Sequence, residues 1–112
     1  MAPERMRRVD EAIRQVLADA LAGELADPRV GFVTVTDVRT SPDLRTARVF
    51  VSVLGDEPAR ADTLEGLRSA HGLLQRQIAS QLHLKRTPAL DFEYDPTTDR
   101  ALRVDELLRE RS

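Results

Sequence analysis

The sequence predicts a two-layer α+β fold, and three observations carry that expectation. Apolar residues recur at three- and four-residue steps in long segments, they alternate with polar residues in three short ones, and 112 residues leave room for one modest core. With 41% hydrophobic residues and no repeat or low-complexity tract, the chain is too apolar to stay disordered. One domain over residues 1–112 is expected, a three-stranded sheet with helices on one face.

The first helix is expected over residues 4–25, where Met6, Val9, Ile13, Leu17, Leu21 and Leu25 share a face; Gly23 and then Asp27-Pro28 end it. Residues 31–40 and 45–54 read as antiparallel strands joined across Ser41-Pro42-Asp43. Ala47, Val49, Val51 and Val53 alternate with Arg48, Phe50 and Ser52, placing the valines on one face. In the first strand Val33 and Val35 are in phase and Val38 is not, which predicts a bulge or an early strand end near Asp37.

Gly55-Asp56-Glu57-Pro58 closes the second strand and opens a helical stripe from about 60 to 83, with Asp56 or Asp62 as its cap. Gly66 and Gly72 lie inside that stripe, each costing roughly 1 kcal/mol relative to alanine. Residues 88–94 alternate again, with Leu90, Phe92 and Tyr94 facing the core, and Asp95-Pro96-Thr97-Thr98 caps a last helix over about 97–110.

Several classes of chemistry are set aside. Without cysteine there is no disulfide framework, thiolate nucleophile or thiolate metal site, and His71 and His83 do not make a zinc site alone. No apolar run is long enough to span a membrane and no signal peptide is recognisable, so a cytoplasmic protein without membrane or cofactor is expected. A glycine-rich phosphate loop and a nucleophile elbow are missing too, which argues against an enzyme.

Net charge is −2, yet the charge is unevenly spread. Gly66 to Leu90 holds no acidic residue while carrying Arg68, Arg76, Lys85 and Arg86. Such a segment attracts phosphate within about one Debye length, ~8 Å, while acidic stretches elsewhere limit indiscriminate binding. Sixteen of the seventeen basic residues are arginine, the side chain suited to bidentate phosphate contacts. An arginine-favouring genome explains the same count.

Among small folds of this element order a type II KH domain fits best, with the second helical unit split at a bend over which single-stranded RNA runs. The usual GXXG loop of KH domains is missing. In its place stands Ser69-Ala70-His71-Gly72, which resembles the Ala-x-Gly kink of the ribosome-binding factor A family. The resemblance extends to Arg7-Arg8-Val9, Asp27-Pro28-Arg29-Val30-Gly31, Val33-Thr34-Val35-Thr36-Asp37-Val38, Ser41-Pro42-Asp43-Leu44, Ala47-Arg48-Val49-Phe50-Val51-Ser52-Val53 and Leu84-Lys85-Arg86-Thr87-Pro88. It implies a non-enzymatic, monomeric assembly factor that binds the free small (30S) ribosomal subunit and its 16S ribosomal RNA late in maturation. It also implies a role in 5′-end processing of that RNA and in growth in the cold, with an assembly GTPase as functional partner. Some members continue past the last helix with a charged tail where this sequence stops at Ser112, so the resemblance does not carry over functions that depend on such a tail.

The candidate RNA-binding residues are Arg68, Ala70, His71, Gly72, Arg76, Lys85 and Arg86, extended by Arg45, Arg48, Arg7 and Arg8. Gly72 is expected to supply the bend and let backbone N–H groups approach phosphate, against the plainer reading of a close helix–sheet contact. His71 is open between a base or phosphate contact and a solvated or capping side chain. The basic residues otherwise form an ordinary solvated face. Phe92 and Tyr94 read as core, so recognition is expected to rest on phosphate and backbone shape more than on stacked bases. Two other functions stay open: a KH-like module that docks a protein without touching RNA, and a small hydrolase or ligand-binding protein using His71 with a carboxylate.

Overall fold

The computed structural model describes residues 4–23 and 33–97. Its elements run α1 (Glu4–Ala22), β1 (Val33–Thr40), β2 (Thr46–Val53), α2 (Glu57–Ser69), α3 (His71–Leu82) and β3 (Ala89–Tyr94). The order is that of the sequence-based expectation, with the second helical unit broken in two. β2 is central, antiparallel to β1 and parallel to β3. The Asp27–Gly31 passage and the last helix past Thr97 lie outside the described residues.

The bulge is real. Val35 pairs with Val51 and Asp37 with Phe50, so Thr36 is the extra residue. One inserted residue restores the phase lost between Val35 and Val38, and both valines are buried. β2 shows uninterrupted alternation, its Ala47, Val49, Val51 and Val53 all buried. These side chains meet Ile13, Val16 and Leu17 of α1, Leu67 of α2, Leu74 and Ile78 of α3, and Leu90 and Phe92 of β3 in one core. The opposite sheet face is polar, with Arg39, Arg48, Asp91 and Glu93 on it, as alternation requires.

α2 starts three residues earlier than its apolar stripe because Asp56, not Asp62, is the cap. The Asp56 carboxylate accepts from Ala59 N–H at 3.1 Å, and Pro58 occupies the first turn. Just before it Gly55 takes φ +136°, and a Cβ there would lie 2.9 Å from that of Ala59. Only glycine fits this turn.

Both sheet edges are covered by side chains. On β1, Asp10 of α1 accepts from Thr40 N–H at 3.0 Å and from its hydroxyl at 2.6 Å, while Asp37 accepts from Val38 N–H. On β3 the partners come from α2 and α3. The helices are thereby tied to the sheet by directed bonds as well as by apolar contact.

Candidate nucleic-acid interface

The bend between α2 and α3 is a single residue. Ala70 ends one helix and starts the next with φ −85° and ψ 5°, outside ordinary helical ψ. Its N–H donates to Gly66 O and Leu67 O at 3.0 and 3.1 Å, and its carbonyl accepts from Leu74 N–H at 3.0 Å. Ala70 is thus the last donor of α2 and the first acceptor of α3, and it joins the two ladders without a capping side chain. Sequence reasoning assigned the bend to Gly72, whereas the pivot is Ala70.

Gly72 sits one residue into α3 with no positive φ, and a Cβ added to it would meet nothing within 4 Å. Neither dihedral strain nor packing calls for glycine there, so the close helix–sheet contact is not its reason. The effect of the missing side chain is an exposed, bare backbone at the start of α3, where the first turn holds no acidic residue. Gly66, by contrast, is buried.

The other candidates fall into three groups. Around the bend, Arg76 is exposed on α3, and Lys85 and Arg86 are exposed in the link from α3 to β3. Among the described residues none of these three is in an ion pair. Arg68 is exposed too, with its guanidinium 3.4 Å from Phe92 O. His71 is half-buried and faces the sheet, its Nε2 accepting from Leu90 N–H at 3.0 Å.

A second group lies on the sheet. Arg48 is on the polar face and pairs with Glu93 at 3.5 Å, turned away from the helices. Arg45 pairs with Asp43 at 3.7 Å, and its carbonyl accepts from Ala89 N–H, which brings it beside the link carrying Lys85 and Arg86. The third group is on α1: Arg8 pairs with Glu4 in solvent, and Arg7 lines a groove with Asp10, Glu11 and Arg39. Among the described residues no part of α2 or α3 lines that groove.

Phe92 is in the core as expected, and Tyr94 is half-buried with the Arg60 guanidinium 4.7 Å from its ring centre. Phe50 lies on the polar sheet face with Arg39 over it at 5.8 Å. Leu73 was missed from sequence: it is 41% exposed beside Gly72, and its one signal was an apolar side chain off the buried stripe of Leu74 and Ile78. Among the described residues no three His, Cys, Asp or Glu side chains converge as a metal site, and no helix is long and apolar enough to cross a membrane.

This arrangement of bent helix pair, mixed sheet and bare backbone at the bend can be set against known proteins. The model of the family described as ribosome-binding factor A matches residues 5–108. The chain belongs to the ribosome-binding factor A family. A Thermotoga maritima protein assigned as a ribosome binding factor A, solved in solution by NMR, is 38% identical, with a TM-score of 0.73 over 83% of this chain and 90% of that one. The crystal structure of ribosome-binding factor A from Thermus thermophilus is 27% identical, with a TM-score of 0.70 over 80% of this chain and 94% of that one. A homology model of the Thermus thermophilus factor, fitted into a cryo-electron microscopy map of its 30S complex, is 25% identical. Its TM-score is 0.61, over 86% of this chain and 97% of that one. The mixed α+β fold is thus that of ribosome-binding factor A structures, consistent with the KH-like expectation.

Proposed function

We propose that this chain binds the free small ribosomal subunit through its 16S ribosomal RNA, late in maturation, and leaves before the large subunit joins. It acts in the cytoplasm as a monomer, by binding and not by catalysis, with an assembly GTPase as functional partner. Its consequences are 5′-end processing of the 16S RNA and growth in the cold. The observation that carries the reading is the contrast in charge pairing. Arg8, Arg14, Arg39, Arg45 and Arg48 each have an acidic neighbour, whereas Arg76, Lys85 and Arg86, around the bare start of α3, have none among the described residues; Arg5 and Arg7 on α1 are unpaired there too, but no bare backbone is set beside them. Exposed cations left unpaired are available to phosphate, and a backbone without side chains lets a phosphate approach N–H groups.

The binding set is therefore the Ala70–Gly72 backbone with Arg76, Lys85 and Arg86, and Arg45 at its margin. In this reading Arg48, on the polar sheet face, and Arg7 and Arg8, on α1, lie outside the set. A fitted 30S complex of the Thermus thermophilus relative supports the subunit as partner.

The test is co-sedimentation of the purified protein with separated small subunits, large subunits and joined ribosomes at low and moderate salt. Retention on free small subunits alone, weakening with salt, is the expected result. Equal retention on all three, or none at low salt, refutes the reading.

A further inference from the structure

In the β2–β3 pair, Ala89 N–H donates to Arg45 O and Asp95 N–H to Val51 O, so the alternate residues Pro88, Leu90 and Phe92 turn their backbone groups away from β2. Those outward groups form an open strand edge. Here they meet three side chains in order: Gln75 donates to Pro88 O at 2.9 Å, Leu90 N–H donates to His71 Nε2 at 3.0 Å, and Arg68 reaches Phe92 O at 3.4 Å. The spacing of 68, 71 and 75 is one helical face continued across the bend, with Arg68 on α2, Gln75 on α3 and His71 next to the pivot.

We propose that Arg68, His71 and Gln75 act as one clamp on the edge of β3, and that His71 is the positioning residue that fixes the angle at which α3 leaves the bend. Three rungs on one straight strand hold two helices at a defined angle. These bonds add to the apolar packing of Leu67, Leu74 and Ile78 at a bend where Ala70 has no side-chain cap. His71 then contributes to RNA binding without touching RNA, by holding the Gly72 backbone and Arg76 in place. This second half rests on the function proposed above; the clamp itself does not. An imidazole that accepts at Nε2 is neutral and carries its proton on Nδ1.

The experiment combines NMR and sedimentation. In the unmodified protein, ¹⁵N shifts of the His71 ring are expected to show a bare Nε2 and a protonated Nδ1; the opposite tautomer overturns the clamp whatever any variant does. His71→Ala is expected to raise hydrogen exchange at Leu90 by about fivefold or more, as loss of one hydrogen bond allows. It is also expected to weaken retention on small subunits several-fold.

His71→Gln keeps an acceptor within reach and removes the aromatic ring, so it is expected to restore both readouts. If His71→Gln binds as weakly as His71→Ala while Leu90 stays protected, the side chain touches RNA and the positioning role is wrong. Unchanged Leu90 exchange in His71→Ala removes the clamp. Failure of the unmodified protein to bind small subunits refutes the functional reading and the positioning role, while the tautomer and exchange measurements still decide the clamp.

Discussion

Gly72 is the residue at which stability and binding are expected to part. In helices alanine is favoured over glycine by about 0.5–1 kcal/mol, and the space around this position is open, so Gly72→Ala is expected to stabilise the fold by about that amount. A methyl group on the bare helix start keeps a phosphate away from the N–H groups, and affinity for small subunits should fall several-fold. Urea unfolding and co-sedimentation of the same preparation check both signs. A variant more stable and equally tight shows that nothing approaches this backbone. Gly55 is the opposite case. At φ +136°, with Ala59 in the way, Gly55→Ala is expected to cost about 1–3 kcal/mol in urea unfolding. The sequence marks both positions only as glycine; their different meanings come from dihedral angle and neighbouring space, which a string of letters does not record.

At the scale of elements, the bulge in β1 does more than rephase valines. It aims the Thr36 hydroxyl at Asp95, just past β3; the contact is 2.7 Å, against 3.2 Å to Phe50 O, so the charged acceptor takes the single proton. This bond first, and then the backbone N–H of Thr97, hold the Asp95 carboxyl below the ordinary aspartate range. A carboxyl depressed in the folded state adds stability that is fully present above its unfolded pKa and is lost as pH falls through the folded one. Thr36→Val is therefore expected to lower stability at neutral pH, with the deficit shrinking in acid as Asp95 is protonated. Urea unfolding at a series of pH values tests this, and a deficit constant with pH removes the link.

The bulge itself was legible, because Val35 and Val38 cannot share a strand face without one. The bond to Asp95 was not, since it joins residues 59 positions apart. The clamp on β3 was hidden for the same reason: at helical spacing Arg68, His71 and Gln75 look like any exposed stripe. Only the parallel placement of β3 makes them a set. The helices and strands were readable because period and capping are local, while the split of the candidate arginines into three groups depends on which elements meet.

For the molecule as a whole, the pairing of charges predicts where salt acts. Net charge is −2, so a uniformly spread field would repel RNA, and binding has to come from local cations that the protein's own acids do not neutralise. Each phosphate contact releases condensed counterions and contributes about 0.7–0.9 to the slope of log affinity against log salt. The joint substitution of Arg76, Lys85 and Arg86 by glutamine is then expected to flatten that slope by about two, and to weaken binding most at low salt. Arg14→Gln with Arg39→Gln removes two arginines that are paired with Glu11 and Asp37, so it should leave the slope where it was. Titrating small subunits over a range of salt with both variants compares charge at the bend with charge elsewhere. If the two variants flatten the slope equally, binding reads overall charge and the surface around α3 has no special part in it. If only the first does, the acid-free stretch from Gly66 to Leu90 is the feature through which an acidic protein holds RNA.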